Sequence, residues 1–126
     1  MAYWLFKEEP SHFSFADLER AGRARWEGVK NPLALQHLRA VKPGDWVLLY
    51  HTGKEKSIVG EMKAKSVKDG VVTVIPVRRF AKAVPLSLIK EQALCKDWEL
   101  VRISRLSVMR VPPAIWKWIM ATAQDA

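Results

Sequence analysis

Residues 58–80 read IVGEMKAKSVKDGVVTVIPVRRF, and Asp69-Gly70 divides this stretch into two halves rich in β-branched residues. Asp and Gly both tolerate a positive φ, which the tight two-residue turn of a β-hairpin requires. The pattern therefore predicts two antiparallel strands, residues 58–67 and 71–80, joined by this turn.

The first strand of this hairpin has two different faces. Small or apolar residues alternate with charged ones, as Gly60, Met62 and Ala64 alternate with Glu61, Lys63 and Lys65. Because successive strand residues point to opposite faces of a sheet, we predict one apolar face and one solvent-exposed, basic face.

Three more strands are predicted around the hairpin, at residues 3–6, 45–51 and 98–104. The second of them follows Lys42-Pro43-Gly44-Asp45, in which proline and glycine occupy the central positions of a type II turn. Trp26-Glu27-Gly28-Val29 is predicted to be a loop between helices.

Four helices are predicted between these strands. Ser14 and Asn31 are N-cap residues of the first two, which end near Gly22 and Val41. A short helix is predicted over residues 86–94. The last begins at Pro112-Pro113 and buries one face made of Ile115, Trp118, Ile119 and Thr122.

These elements predict a mixed α/β (α+β) fold, a partly closed pseudo-barrel of about five to six strands with short flanking helices. The chain has 126 residues, of which 49% are hydrophobic and 27% charged, so we expect a single folded domain over residues 1–126. A doubly wound sheet is not favoured, because strands and helices do not alternate regularly along the sequence.

The net charge of +8, from 21 Lys and Arg against 13 Asp and Glu, favours nucleic acid, DNA or RNA, as the partner. Many basic proteins of this size bind no polyanion, so charge alone is a weak argument. The single cysteine, Cys95, forms no internal disulfide, and no metal-binding Cys/His spacing occurs. We expect no metal, no cofactor and no membrane segment, and a cytoplasmic location.

Four short blocks, in one order, resemble the EVE domain family of the PUA-like superfamily. The first two are Tyr3-Trp4-Leu5-Phe6-Lys7 with Glu9-Pro10, and Trp26-Glu27-Gly28-Val29-Lys30-Asn31. The others are Lys42-Pro43-Gly44-Asp45 leading to Leu49-Tyr50-His51-Thr52, and Arg105-Leu106-Ser107-Val108. The resemblance implies a PUA-like pseudo-barrel with a pocket for a flipped, modified base, such as a methylated or hydroxymethylated cytosine or methyladenine.

The chain departs from the family pattern beside the implied pocket. Glu8 stands where the family usually has Ser, Lys30 replaces Arg, and residues 32–36 differ from the family's run after Asn31. The turn at Asp69-Gly70 is also shorter than the family's usual central segment. We therefore expect the preferred base to differ from that of other members.

A base pocket needs flat apolar walls and polar groups at the edge of the base. Trp26 is the main candidate wall, because a loop indole has no obvious role in a core. Trp4 is a weaker candidate, and Tyr50 lies at the end of its strand. The polar candidates are Asn31, which also has a sufficient role as an N-cap, and His51, Thr52, Lys7 and Ser107 near strand ends. A hydrogen-bonded structural role is the alternative for His51.

Phosphate groups would be contacted by cations beside the pocket and on the exposed strand face. The candidates are Lys30, Arg105, Lys63, Lys65, Arg78 and Arg79, with Lys82 beside them. A merely solvated charged face is the alternative for the strand cations, and bracing of the barrel is the alternative for Arg105 and Ser107.

A non-catalytic module that recognises a modified base is the leading hypothesis, acting as a monomer and alone or beside a separate effector protein. An RNA-binding PUA-like module without preference for modification is one alternative. An ASCH-like small hydrolase is the other, in which Lys7, Glu9, His51, Thr52 and Ser107 would compose the site. No nucleophile elbow, Walker loop or zinc-protease motif supports the hydrolase.

Overall fold

The computed structural model describes residues 2–124. Six strands follow one another as β1 Tyr3–Glu8, β2 Ala24–Trp26, β3 Trp46–His51, β4 Ser57–Lys68, β5 Val71–Pro85 and β6 Val108–Arg110. The helices are α1 Phe15–Ala21, α2 Pro32–Ala40, α3 Leu86–Glu91, α4 Glu99–Arg102 and α5 Pro113–Gln124, with a 3-10 turn at Ala93–Cys95.

All six strands form one sheet in the order β2-β5-β4-β3-β1-β6. β1 and β3 are parallel, and the other neighbouring pairs are antiparallel. The β4–β5 pairing shifts register at three places, and such irregularities bend a strand and increase its twist. The sheet is consequently curled into a half-barrel, and the predicted mixed α/β pseudo-barrel of five to six strands is confirmed.

The predicted hairpin at Asp69-Gly70 is confirmed. Asp69 has a φ of 53° and Gly70 a φ of 77°, the pair of positive angles that a type I′ turn uses. Both strands extend beyond the predicted bounds, and β5 continues to Pro85.

One part of the predicted exposed strand face is wrong. Glu61 is buried, with its carboxylate 3.8 Å from the guanidinium of Arg78. Burial raises the pKa of the Glu61 carboxyl, and the charge of Arg78 opposes that rise. The register shifts of β4 break simple alternation, so Glu61 turns toward the protein while Lys65 stays exposed.

The carboxylate of Asp45 accepts hydrogen bonds from three donors in two parts of the chain. It accepts hydrogen bonds from the indole Nε1 of Trp4 at 2.9 Å, from the backbone N–H of Lys42 at 2.9 Å and from that of Ala2 at 3.2 Å. Asp45 is buried, and its backbone carbonyl also accepts from Ala64. This one side chain ties the start of β1 to the turn that leads into β3.

Helices α1 and α2 begin and end as their sequences indicate. Ser14 and Asp17 form a reciprocal capping box, and Gly22 ends α1 with a φ of 80°. Asn31 accepts from the N–H groups of Leu33 and Ala34 at the start of α2. Both predicted N-caps are confirmed.

The strand predicted at residues 98–104 is wrong, because this segment contains helix α4. Trp98 and Leu100 are buried in it, but the pairing position beside β1 is taken by β6, which begins four residues after Ser104. With that position occupied, the apolar residues pack as a single helical turn. The predicted helix over residues 86–94 is likewise shorter, since α3 ends at Glu91 and a 3-10 turn follows.

The last helix buries a face slightly rotated from the predicted one. Ile115 and Ile119 are buried as expected, together with Trp116 and Ala123. The Trp116 ring stacks on Tyr3 at a centroid distance of 4.5 Å, and this contact fixes the rotation of α5. Thr122 instead donates its hydroxyl to the carbonyl of Trp118.

Replacing Asp45 with Ala should destabilise the fold by about 3 kcal/mol or more, because three partly or fully buried donors lose their acceptor. Urea unfolding measures the change, with Asp97→Ala at an exposed position as the matched control. Equal stability of the two variants would contradict the anchoring role of Asp45.

Candidate nucleic-acid interface

A concavity of about 350 Å³ opens beside the end of β1 and strand β2, and we call it the Trp26 slot. It is lined by Glu8, His12, Phe13, Ala24, Arg25, Trp26 and Glu27. Two aromatic side chains thus share one open cavity with carboxylates and an exposed imidazole. The size is within the range of small-molecule pockets.

Trp26 is the last residue of strand β2, so its predicted place in a loop is wrong, whereas residues 27–29 lie outside helices and strands as predicted. The long strand β5 offers a free edge, and Ala24–Trp26 pairs with it antiparallel, Trp26 opposite Val72. The indole is 7% exposed and its ring lies 5.2 Å from that of Phe6. Trp26 is therefore part of the core and, at the same time, one wall of the slot.

The polar edge of the slot is acidic. One carboxylate oxygen of Glu8 accepts from the backbone N–H of Glu9 at 3.0 Å and contacts His12 Nδ1 at 3.2 Å. Glu27 pairs with Arg25 at 3.0 Å. An apolar wall beside carboxylate acceptors suits a flat heterocycle that carries N–H donors.

A second concavity, which we call the arginine groove, adjoins the slot and shares Ala24 and Arg25 with it. Its other lining residues are Arg23, Lys65, Ser66 and Thr73, and its volume is about 350 Å³. Lys65 was a predicted phosphate ligand. Arg23 and Arg25 were missed, although both precede Trp26 on the exposed side of its strand.

Three of the other predicted strand cations have protein partners. Lys63 Nζ lies 5.0 Å from the centre of the Trp46 ring. Arg78 faces Glu61, and Arg79 pairs with Glu19 and covers the ring of Phe15. These contacts separate Arg78 and Arg79 from the arginine groove.

Three predicted base ligands lie together in a different concavity, of about 260 Å³, which we call the lysine cleft. Its lining includes Lys7, Tyr50, Thr52, Lys56, Leu86 and Lys90. Because Lys7 and Glu8 are successive residues of β1, they point to opposite faces, and the cleft and the slot lie on opposite sides of that strand. The predicted grouping of Lys7, Tyr50 and Thr52 with Trp26 is therefore wrong.

His51 also lies away from the Trp26 slot. It is buried, and its Nε2 accepts from the backbone N–H of Phe15 at 3.1 Å. Its Nδ1 must then carry the proton that it shares with the carboxylate of Glu55 at 3.0 Å. Both nitrogens are engaged, so the structural alternative describes His51.

Trp4 is a core residue and its assignment to the base pocket is corrected. It is fully buried, it donates to Asp45, and the guanidinium of Arg110 lies 4.6 Å from its ring centre. A base would have to displace these contacts in order to stack on the indole.

The remaining predicted residues lie at the borders of these features. Asn31 caps α2, with Lys30 exposed beside it. Arg105 is exposed in the turn before β6, and the carbonyl of Ser107 accepts from the backbone N–H of Lys7 at 2.9 Å. Ser107 thus holds β1 in place, and the roles of Lys30 and Arg105 stay predictions.

Phe13 and His12 are slot residues that sequence reasoning missed. They follow Pro10 in a bend whose backbone closes onto Glu9, with the carbonyl of Glu9 accepting from both N–H groups. Apolar Phe13 just before the Ser14 cap was the available signal, since such residues commonly pack back against the chain.

Within residues 2–124, no group of three or more His, Cys, Asp or Glu side chains is arranged to hold a metal ion. Among the helices of that range, none has the length and apolar character needed to cross a membrane.

The curled, mixed sheet of six strands with its flanking helices is the fold of a PUA-like domain. The family model of the EVE domain matches residues 2–122, and the chain belongs to the EVE domain family.

The relatives extend this result. Thymocyte nuclear protein 1 of Mus musculus is 40% identical over 73 residues, which are 48% of this chain and 32% of the mouse protein. The match thus spans about a third of the length of that relative. A crystal structure from Pseudomonas putida is 33% identical, with a TM-score of 0.88 over 97% of this chain and 99% of the other.

The human THYN1 protein, solved in complex with DNA that contains 5-methylcytosine, has the same fold. Its TM-score is 0.89 at 24% identity, and the superposition covers 100% of this chain and 99% of the human one.

Replacing Trp26 with Ala should lower the free energy of unfolding by about 3 kcal/mol, because the indole is buried against Phe6. Trp26→Phe should cost less, since an aromatic ring still fills the site. Chemical denaturation of both variants checks this, and a fully stable Trp26→Ala protein would show that the indole does not support the core.

Proposed function

We propose that this chain is a non-catalytic nucleic-acid-binding module that accepts a modified base, such as a methylated cytosine, swung out of its strand into the Trp26 slot. The observation that carries the proposal is a buried indole with an open cavity of about 350 Å³ beside it. The shared fold with a protein solved on 5-methylcytosine DNA supports it.

The energetics of stacking favour this use of the slot. Stacking a base on an aromatic side chain contributes about 1–3 kcal/mol, and extruding a base costs a few kcal/mol. Because Trp26 is already held against Phe6, the wall is in place before the base arrives and loses little side-chain entropy on binding. A weakly paired or modified base gains most from such a wall.

The carboxylate of Glu8 supplies the polar edge. An ionised carboxylate accepts hydrogen bonds only, so it favours a base with an exocyclic amino group, as cytosine and adenine have. The edge of the base is therefore read by a charged acceptor in this member.

The arginine groove continues the slot along the sheet. Arg23, Arg25 and Lys65 line it together with the hydroxyl residues Ser66 and Thr73. Phosphate groups next to an extruded nucleotide would lie over these cations, and the released counterions would make binding salt-dependent.

The hydrolase alternative has less support, because its residues are divided between sites. Thr52 Oγ1 donates to the carboxylate of Glu9 at 3.3 Å, whereas His51 turns to Phe15 and Glu55. A base or acid catalyst needs a free nitrogen within reach of a substrate, and both nitrogens of His51 are engaged. The other alternative, an RNA-binding module without preference for modification, is distinguished from the proposed module by comparing binding to modified and plain oligonucleotides.

Phe13→Leu should reduce the preference for 5-methylcytosine over cytosine about fivefold or more, because it keeps apolar volume but removes a flat ring from the slot. Fluorescence anisotropy with matched modified and plain oligonucleotides, as DNA and as RNA, measures the ratio of affinities. Tyr3→Leu is the control, since Tyr3 packs on Trp116 away from the slot.

Equal losses on modified and plain strands in Phe13→Leu would argue for general binding without recognition of the modification. Appearance of a product from either strand would instead favour the hydrolase. A wild-type protein that binds modified and plain bases with equal affinity would contradict the proposal outright.

We expect Lys65→Glu and Arg23→Glu each to weaken binding to modified and plain oligonucleotides alike. Each change should also reduce the slope of log K against log salt by the equivalent of about one phosphate contact. Lys63→Glu is the matched control on the same strand, because Lys63 is engaged over Trp46. Titrations at two or more salt concentrations measure the slope. If Lys63→Glu lowers the slope as much as the other two variants, the groove is not the phosphate path.

A further inference from the structure

The lysine cleft is a cavity that the proposed function leaves without a role. Three lysines, Lys7, Lys56 and Lys90, line its volume of about 260 Å³. They come from three separate elements, namely β1, the loop before β4 and helix α3. The cavity thus collects one lysine from each of three separate parts of the chain.

Lys7 lies at the inner end of the cleft. It is partly buried, its ammonium donates to the carbonyl of Ser104 at 2.8 Å, and it lies 5.5 Å from the centre of the Tyr50 ring. Burial lowers the pKa of Lys7. A half-buried ammonium with one neutral acceptor is stabilised by any anion that enters beside it.

The residues lining the cleft, all within the described part of the chain, include no carboxylate. The nearby acid, Glu9, accepts from the Thr52 hydroxyl at 3.3 Å and packs beside Gly53. Its carboxylate therefore offsets part of the positive charge near the cleft without being one of the lining groups.

The loop that carries Lys56 is fixed. Lys56 has a φ of 43°, and its carbonyl accepts from the backbone N–H of Leu86 at 2.8 Å. This bond holds the loop against the start of α3, the helix that bears Lys90. The backbone segments that carry Lys56 and Lys90 are consequently held together before any ligand binds.

The chemistry of the cavity selects the ligand. A phosphate monoester carries nearly two negative charges at neutral pH and offers three terminal oxygens, which can accept from several ammonium and hydroxyl groups at once. A phosphodiester inside a strand carries one charge and is attached on both sides. Leu86 and Leu100 add apolar surface for the organic part of a small ligand.

We propose that the lysine cleft is a second binding site, specific for a phosphate monoester, such as the terminal phosphate of an oligonucleotide or the phosphate of a free mononucleotide. It lies on the side of β1 opposite the Trp26 slot, so both sites can be filled together. The inference does not rest on base recognition, and either can fail alone.

The first test is an NMR titration of the full chain with inorganic phosphate at constant ionic strength, following the amide signals of Thr52 and Gly53. The wild-type protein should show saturable shifts. The double variant Lys56→Asn and Lys90→Gln should bind about tenfold or more weakly, because two charge-assisted contacts are lost. Asn suits the positive φ at position 56.

Lys117→Gln, on the exposed side of α5, is the matched control and should bind phosphate as the wild-type protein does. Thermal melting shows whether the double variant folds. Shifts that do not saturate, or equal binding by the double variant and the wild-type protein, would overturn the site.

A second comparison separates the two sources of phosphate. If a 5′-phosphorylated oligonucleotide binds more tightly than its 5′-hydroxyl counterpart and the double variant loses that difference, the site takes a strand end. If only a mononucleotide competes with inorganic phosphate, the site takes a free nucleotide. No competition by either would contradict the proposal for a phosphate monoester.

Discussion

The parallel pairing of β1 with β3 is the constraint on which the other features depend, and the buried carboxylate of Asp45 fixes it. Parallel neighbours bring their carboxyl ends to the same edge of a sheet, and the register places Lys7 beside Tyr50 and Glu8 beside His51. Asp45 ties the other end of the pair through Trp4, Ala2 and Lys42. A slip of one residue would exchange the faces of β1 and dismantle both cavities.

Because side chains alternate along a strand, Lys7 and Glu8 of β1 lie on opposite faces. Glu8 lies in an acidic slot with Trp26, and Lys7 lies in a cleft with two other lysines. The arginine groove adjoins the slot, since the two share Ala24 and Arg25. Opposite charges can therefore stand at neighbouring positions of one strand without neutralising each other, because the sheet separates them.

Local signals in the sequence predicted the turns and helix starts, because each depends on a few adjacent residues. Asp69-Gly70, Ser14 and Asn31 are of this kind. The helix at Glu99–Arg102 and the strand position of Trp26 depend on which sheet edges are free, and that is decided by residues far away in the chain. The motif blocks indicated the family and singled out Trp26. Which residues lie beside Trp26 depends on the alternation along β1, which places Glu8 in the Trp26 slot and Lys7 in the lysine cleft.

The central claim is that an extruded, modified base lies against Trp26. Intermolecular NOE spectroscopy of the chain with an oligonucleotide bearing one 5-methylcytosine tests it most directly. We expect contacts from the C5-methyl protons to the ring protons of Trp26 and Phe13. Methyl contacts only to neighbouring bases, or to another surface of the protein, would contradict it.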